Sequence, residues 1–209
     1  MFAANHLRHQ LETIGHDAVI VKEWDESDPD LHILYQVSNK YGLPKNYILQ
    51  QTEPWNSHWF NDNYRDTIKN ALAVWDYSED NQKCYEHPKK AIVTPGINPQ
   101  SVHIKDVEHL FYGHVDGSLR RGKKLDELRA ELNLTVVTNI TGPAMWKILQ
   151  HTKTVYNIHY HKDSPLELYR FHEALSFGCK VWLCDEQRFY THTEDNLEEI
   201  KRGLALVGI

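Results

Sequence analysis

The feature that most constrains this chain is a repeated alternation of short apolar runs with helical stretches. The runs Tyr47-Ile48-Leu49-Gln50, Ala73-Val74-Trp75, Ala91-Ile92-Val93, Leu134-Thr135-Val136-Val137, Thr154-Val155-Tyr156-Asn157-Ile158 and Lys180-Val181-Trp182-Leu183 are each only three to five residues long. Runs of that length with continuous apolar character read as strands buried on both faces, and helices spaced between them imply βαβ units and parallel sheets. The order rules out an antiparallel sandwich or a helical bundle and predicts an α/β fold with two Rossmann-like lobes.

The helices have their own punctuation. Phe2 to Ile14 carries apolar residues at Phe2, Leu7, Leu11 and Ile14, with Gly15 as the C-terminal stop. Asn61 to Leu72 is helical in pattern, and Ser78 reads as the N-cap of a further short helix. Ser164, Pro165 and Glu167 fit an N-cap, an N1 proline and a capping-box partner for a helix running to Phe177 and stopped by Gly178. Ala18-Val19-Ile20-Val21 reads as one more buried strand, Leu31–Val37 is ambiguous, and a terminal helix is expected from Thr193 onward. Pro95, Gly96 and Pro99 divide the series, so residues 1–99 are expected to form an N-terminal lobe and residues 100–209 a C-terminal lobe that includes the last helix.

Composition narrows the functional classes. Of 209 residues, 23 are Lys or Arg and 29 Asp or Glu, a net −6. That balance lacks the surplus cations nucleic-acid binding requires, so no nucleic-acid partner is expected. No apolar run reaches the roughly 20 residues of a bilayer span. The first residues lack a signal peptide's apolar core, and three cysteines without ligand spacing fit reduced thiols, so a cytoplasmic location is expected. The 14 histidines invite a metal reading, but His159-Tyr160-His161 has no third ligand at zinc-like spacing, and Asp28-Pro29-Asp30 lies in an acidic loop. No metal is expected.

Ligands of open α/β sheets sit outside the carboxyl ends of the strands, and a cleft between the lobes is therefore expected to hold the chemistry. Three segments carry candidate residues. Arg170 through Gly178 includes Glu173 on an almost wholly apolar helix, where a carboxylate must be paired. An Arg170–Glu173 ion pair and a carboxylate accepting two ribose hydroxyls satisfy that demand equally. Phe111-Tyr112-Gly113 leads through a polar loop to Arg120, Arg121, Lys123 and Lys124 at a helix start. Cations there oppose the helix dipole, which favours a bound anion. Glu53, just past a strand end, fits a general base or a loop carboxylate.

Taken in order, these segments resemble a glycosyltransferase of the GT-B type, the two-lobed class that uses nucleotide-sugar donors. Arg170-Phe171-His172-Glu173-Ala174-Leu175-Ser176-Phe177-Gly178-Cys179-Lys180-Val181 is similar to the donor-site signature of the group 1, or family 4-like, members. Trp75-Asp76-Tyr77-Ser78 and Val155-Tyr156-Asn157-Ile158-His159 resemble two further elements. The resemblance implies that Glu173 accepts the ribose hydroxyls and that Arg120, with Arg121 or Lys124, neutralises the leaving diphosphate. It also places Gly113, Asn157, His159 and Arg170 around the donor. It implies no cofactor, a nucleotide-diphosphate sugar as donor (UDP as the first choice), and a carbohydrate or other hydroxyl acceptor. The retaining Glu-x7-Glu pair is absent, because Pro165 stands eight before Glu173. An inverting reaction with Glu53 or Asp76 as base follows. The family's first strand and glycine loop are also missing, which implies an N-lobe that is either naturally abbreviated or cut off at its amino end. A non-catalytic donor-binding module and a sugar-nucleotide epimerase are the alternatives.

Overall fold

In a computed structural model the described residues are 2–21, 29–35, 42–101, 103–115, 119–191 and 196–209. The chain divides into two compact units, Ala3–Gly96 with Glu194–Ile209, and Met1–Phe2 with Ile97–Thr193.

The first unit is built on a four-stranded parallel sheet in sequential order, β1 (His32–Tyr35), β2 (Tyr47–Gln50), β3 (Ala73–Asp76) and β4 (Lys90–Ile92). Ile48 pairs with Ala73 and Trp75 with Ala91 across the central strands. Strand residues alternate between faces, so Tyr47, Leu49 and Val74 pack with Tyr64 and Ile68 of helix α2 (Asp62–Asn70). Ile48, Ala73 and Trp75 pack on the other face with Leu7 and Leu11 of α1 (Phe2–Thr13). Asn61 caps α2 by accepting from the Tyr64 N–H, and Ser78 caps the short α3 (Glu79–Gln82) by accepting from Asn81, as the cap signals predict.

The second unit holds a five-stranded sheet in the order β6-β5-β7-β8-β9. Its strands are β5 (Val107–Tyr112), β6 (Leu134–Val137), β7 (Thr152–Asn157), β8 (Lys180–Leu183) and the short antiparallel β9 (Arg188–Phe189), which no periodicity announced. Helix α4 (Leu119–Glu131) covers one face, its Leu125 set against Phe111, Tyr156 and Ile158. Helices α5 (Pro143–His151) and α6 (Leu168–Ser176) cover the other, where Met145, Leu149, Phe171 and Phe177 enclose Leu110, Val155 and Val181. The order 2-1-3-4-5 reverses direction beside β5, and a ligand of such a sheet binds outside the carboxyl ends of the two strands at that switch, here β5 and β7.

Three expectations are corrected and one open segment is settled. The terminal helix, α7 (Asn196–Ala205), belongs to the first unit, where Ile200 and Leu204 join Trp75 and Val93. Glu199 Oε2 fixes it there by accepting from Thr94 N at 2.6 Å and Thr94 Oγ1 at 2.8 Å. Ala18–Val21 is no strand: it runs irregularly, with Val19 77% exposed. The helix expected from Ser164 begins at Leu168, and residues 164–167 are irregular. Finally, Leu31–Val37 resolves as β1 over His32–Tyr35, while Val37, Asp28 of the Asp-Pro-Asp loop and Thr193 lie outside the described residues.

Candidate functional site

The carboxyl ends of β5 and β7 gather most of the predicted donor residues. Gly113 ends β5 at φ +139°, a conformation side chains rarely adopt, and a Cβ there would stand 3.0 Å from Arg170 Nη2. Glycine therefore lets the Arg170 guanidinium lie directly on the backbone after β5, with its carbon 5.6 Å from the centre of the Tyr112 ring.

Glu167 is the hub of this cluster. Its Oε1 lies 3.2 Å from Arg121 Nη2 and its Oε2 2.6 Å from Arg170 Nη1, and Asn157 Nδ2 donates to Oε2 at 3.3 Å. The residue does not cap α6 with its side chain. Arg121 and Asn157 hydrogen-bond the carboxylate and Arg170 meets it as an ion pair without hydrogen-bond geometry, so the side chain is engaged here and the capping-box reading is not realised. Arg170 accordingly pairs with Glu167, three residues before it, and not with Glu173.

Arg121 is buried, and its donors are spent on the protein itself. Nε and Nη2 reach the Ile158 carbonyl at 3.0 and 2.5 Å, and Nη1 reaches the His114 carbonyl at 2.6 Å. Burial pushes its pKa down to about 10, opposed by Glu167, so it stays charged at neutral pH. Arg120 is more open: Nη1 donates to the His159 carbonyl at 2.6 Å and Nη2 pairs with Asp185. Lys124 pairs with Glu127 at 3.1 Å, on the solvent-exposed side of α4. The loop residues 116–118 of the predicted anion cradle lie outside the described residues.

Glu173 stands one turn along α6 from Tyr169 and is held by two aromatic donors. Trp146 Nε1 donates to Oε1 at 2.8 Å, and Tyr112 O–H divides between Oε2 at 3.3 Å and the Arg170 carbonyl at 3.0 Å. Burial, with Glu173 beside it, keeps the Tyr112 hydroxyl protonated well above the usual phenol range. Each carboxylate oxygen has two acceptor sites, so Glu173 is fixed in direction while keeping one lone pair per oxygen. At the end of β7, Asn157 is 1% exposed and His159 7%, yet Asn157 Oδ1 and His159 Nδ1 have no hydrogen-bond partner among the described residues. Buried polar atoms of this kind are uncommon and call for a partner.

The expected bases, Glu53 and Asp76, belong to the first unit and lie in a separate buried cluster past β2 and β3. Asp76 is fully buried: Oδ1 accepts from Ser78 N at 3.0 Å and Asn81 Nδ2 at 3.4 Å, and Oδ2 from Tyr85 O–H at 2.8 Å. Burial pushes its carboxyl up to about 7, against the lowering effect of those hydrogen bonds. Glu53 accepts from Ser57 Oγ at 3.1 Å, while its carbonyl takes the second amide hydrogen of Asn81 at 2.9 Å. Tyr64 O–H donates to Gln51 in the same cluster.

Sequence reading missed Glu167 as a site residue, together with Trp146, Tyr112 and Asp185. Only Glu167 carried a legible signal, its i, i+3 spacing from Arg170. Among the described residues no group of three His, Cys, Asp or Glu side chains could hold a metal ion, and no helix is long and apolar enough to cross a membrane.

No protein-family model matches the sequence, and no curated protein matches it. Among solved structures, the GtfA/B complex bound to UDP and GlcNAc is similar at 10% identity and a TM-score of 0.33, over 86% of this chain and 45% of that one. The chain thus spans less than half the length of that neighbour.

Proposed function

We propose that the second unit binds a nucleoside-diphosphate sugar at the carboxyl ends of β5 and β7, and that the protein is a GT-B-type glycosyltransferase. The observation that carries this reading is the convergence of Arg170 on Gly113, of Arg121 and Asn157 on Glu167, and of a fixed Glu173 one helical turn away. Arginines beside a glycine-ended strand suit a diphosphate, and a carboxylate pre-oriented by Trp146 and Tyr112 suits a vicinal pair of ribose hydroxyls. Arg120 and Arg170 then offset the charge of the leaving diphosphate, as preorganised cations can without a metal. In this reading a hydroxyl acceptor loses its proton to Glu53 or Asp76, with inversion, and UDP is the first nucleotide to try.

The experiment is calorimetry with UDP, GDP and TDP and their sugars on the wild type, Glu173→Ala and Arg170→Ala, followed by product analysis for released nucleotide. The reading expects one nucleotide series to bind the wild type and to bind each variant at least tenfold more weakly, with unaltered melting. Binding that is equal in all three proteins removes the site assignment.

A second reading, a donor-binding module that performs no transfer, is favoured by Asp76. Its two oxygens already accept three hydrogen bonds in a fully buried setting. Nucleotide binding without release or transfer in any donor–acceptor mixture supports that module.

A further inference from the structure

We infer that Arg121, Arg170 and Asn157 form a phosphoryl-binding subsite, and that the Glu167 carboxylate occupies it until an incoming anion displaces it. The inference rests on the donor-site reading above and names the group that competes with the donor.

Glu167 holds the position a phosphate oxygen pair would take. Its two oxygens meet two guanidiniums and one side-chain amide at 2.6–3.3 Å, from three separate segments of the unit. A carboxylate and a phosphoryl group ask for the same thing, planar or forked N–H donors with positive charge. Charge counting points the same way. Arg121 and Arg170 face Glu167 and Glu173, two cations against two carboxylates, so the cluster is neutral as it stands. A second anion entering beside Glu167 would meet its charge at short range, and binding requires that carboxylate to leave.

Its backbone permits that exit. Residues 164–167 are irregular, and Glu167 precedes α6 without making a side-chain cap, so withdrawing its side chain breaks no helix hydrogen bond. The neighbouring acceptor and ring nitrogen point to a ligand independently. Asn157 Oδ1 and His159 Nδ1 are buried at the same strand end and unpartnered among the described residues, while Glu167 is in place. Glu167 satisfies only the amide side of Asn157. Asn157 Oδ1 needs a donor, which a hydroxyl on the phosphoryl-bearing molecule supplies, and His159 Nδ1 accepts from such a hydroxyl or donates to a phosphoryl oxygen according to its tautomer.

The test measures binding of inorganic pyrophosphate and of UDP, separately, by calorimetry at fixed ionic strength to the wild type, Glu167→Gln, Glu167→Ala and Glu167→Asp. Removing the charge is expected to tighten pyrophosphate binding at least tenfold in Glu167→Gln and Glu167→Ala. Glu167→Asp, which keeps the charge, should stay within threefold of the wild type. Adding Arg170→Ala to Glu167→Gln should abolish the gain. Thermal melting of each variant identifies a folding defect, and the Gln and Ala forms serve as alternates if one fails to fold. Pyrophosphate binding that is absent throughout, or no tighter in Gln and Ala than in the wild type, overturns the subsite. The donor reading fails differently: if pyrophosphate gains in the variants but UDP binds none of the proteins, the subsite stands and the nucleotide assignment falls. If UDP binds the wild type and the Glu167 variants leave it unchanged, the nucleotide assignment stands and the subsite falls.

Discussion

Asp76 gives the first unit an unusual dependence of stability on pH. Its carboxyl titrates near 7 in the folded chain against 3.8 ordinarily, because burial disfavours the anion more than its hydrogen bonds favour it. Between those values the folded state keeps a proton that the unfolded state has released. Stability therefore falls as pH rises from about 4 to about 7, the reverse of the usual carboxylate behaviour. A shift of about three pK units at about 1.36 kcal/mol each sets an upper bound of roughly 4 kcal/mol on the loss. Asp76→Asn removes the titration and preserves the shape. Its oxygen can still accept from Ser78 N and Asn81, and its amide can donate to the Tyr85 hydroxyl. The assay is native-state hydrogen exchange at pH 5, 6, 7 and 8, read at the Gln51 N–H, which donates to the Trp75 carbonyl at 2.7 Å. After correction for the intrinsic pH dependence of exchange, the wild type should lose protection with rising pH relative to Asp76→Asn. Parallel pH profiles in the two proteins would refute the argument, since the carboxyl would then be ordinary.

Three further outcomes are expected. Arg121→Ala strands the Ile158 and His114 carbonyls and leaves Glu167 half-paired, and should cost about 3–5 kcal/mol in chemical denaturation of the second unit; a loss under 1 kcal/mol would contradict its role as a clamp. Gly203→Ala sets a Cβ 2.5 Å from Trp75 Nε1, and overpacking of about 1–3 kcal/mol should outweigh the roughly 1 kcal/mol gained in helix propensity. A raised melting temperature would sink that reasoning. Trp146→Phe keeps the ring packing but removes the donor to Glu173 Oε1. Under the proposed function it should weaken nucleotide binding by about tenfold, roughly one hydrogen bond to a charged group, and equal affinity would show that Glu173 needs no orienting.

How much was legible before folding differs between the scaffold and the site. The apolar runs became β2, β3, β4, β6, β7 and β8, and the Asn61 and Ser78 caps stand where they were expected. Those features are local: period, cap chemistry and strand length act within a few residues, so a linear reading reaches them. Ala18–Val21 shows the limit of the same logic, because four apolar residues in a row specify burial only if a neighbouring strand is there to accept them.

The chain by itself therefore determined the α/β class, the parallel strands and the helix caps. Tertiary structure decided who pairs with whom. Glu167 meets Arg121 across 46 positions and Glu199 meets Thr94 across 105, and neither separation leaves a trace in periodicity. The first pairing stands just before α6, which begins at Leu168 and not at Ser164, and the second joins the last helix to the loop after β4, with Ile200 and Leu204 packed in the first unit's core. In both cases a carboxylate takes its donor from a distant segment of the chain. The choice depends on which charges and N–H groups the folded chain brings within hydrogen-bonding reach, a quantity fixed in space and not along the sequence.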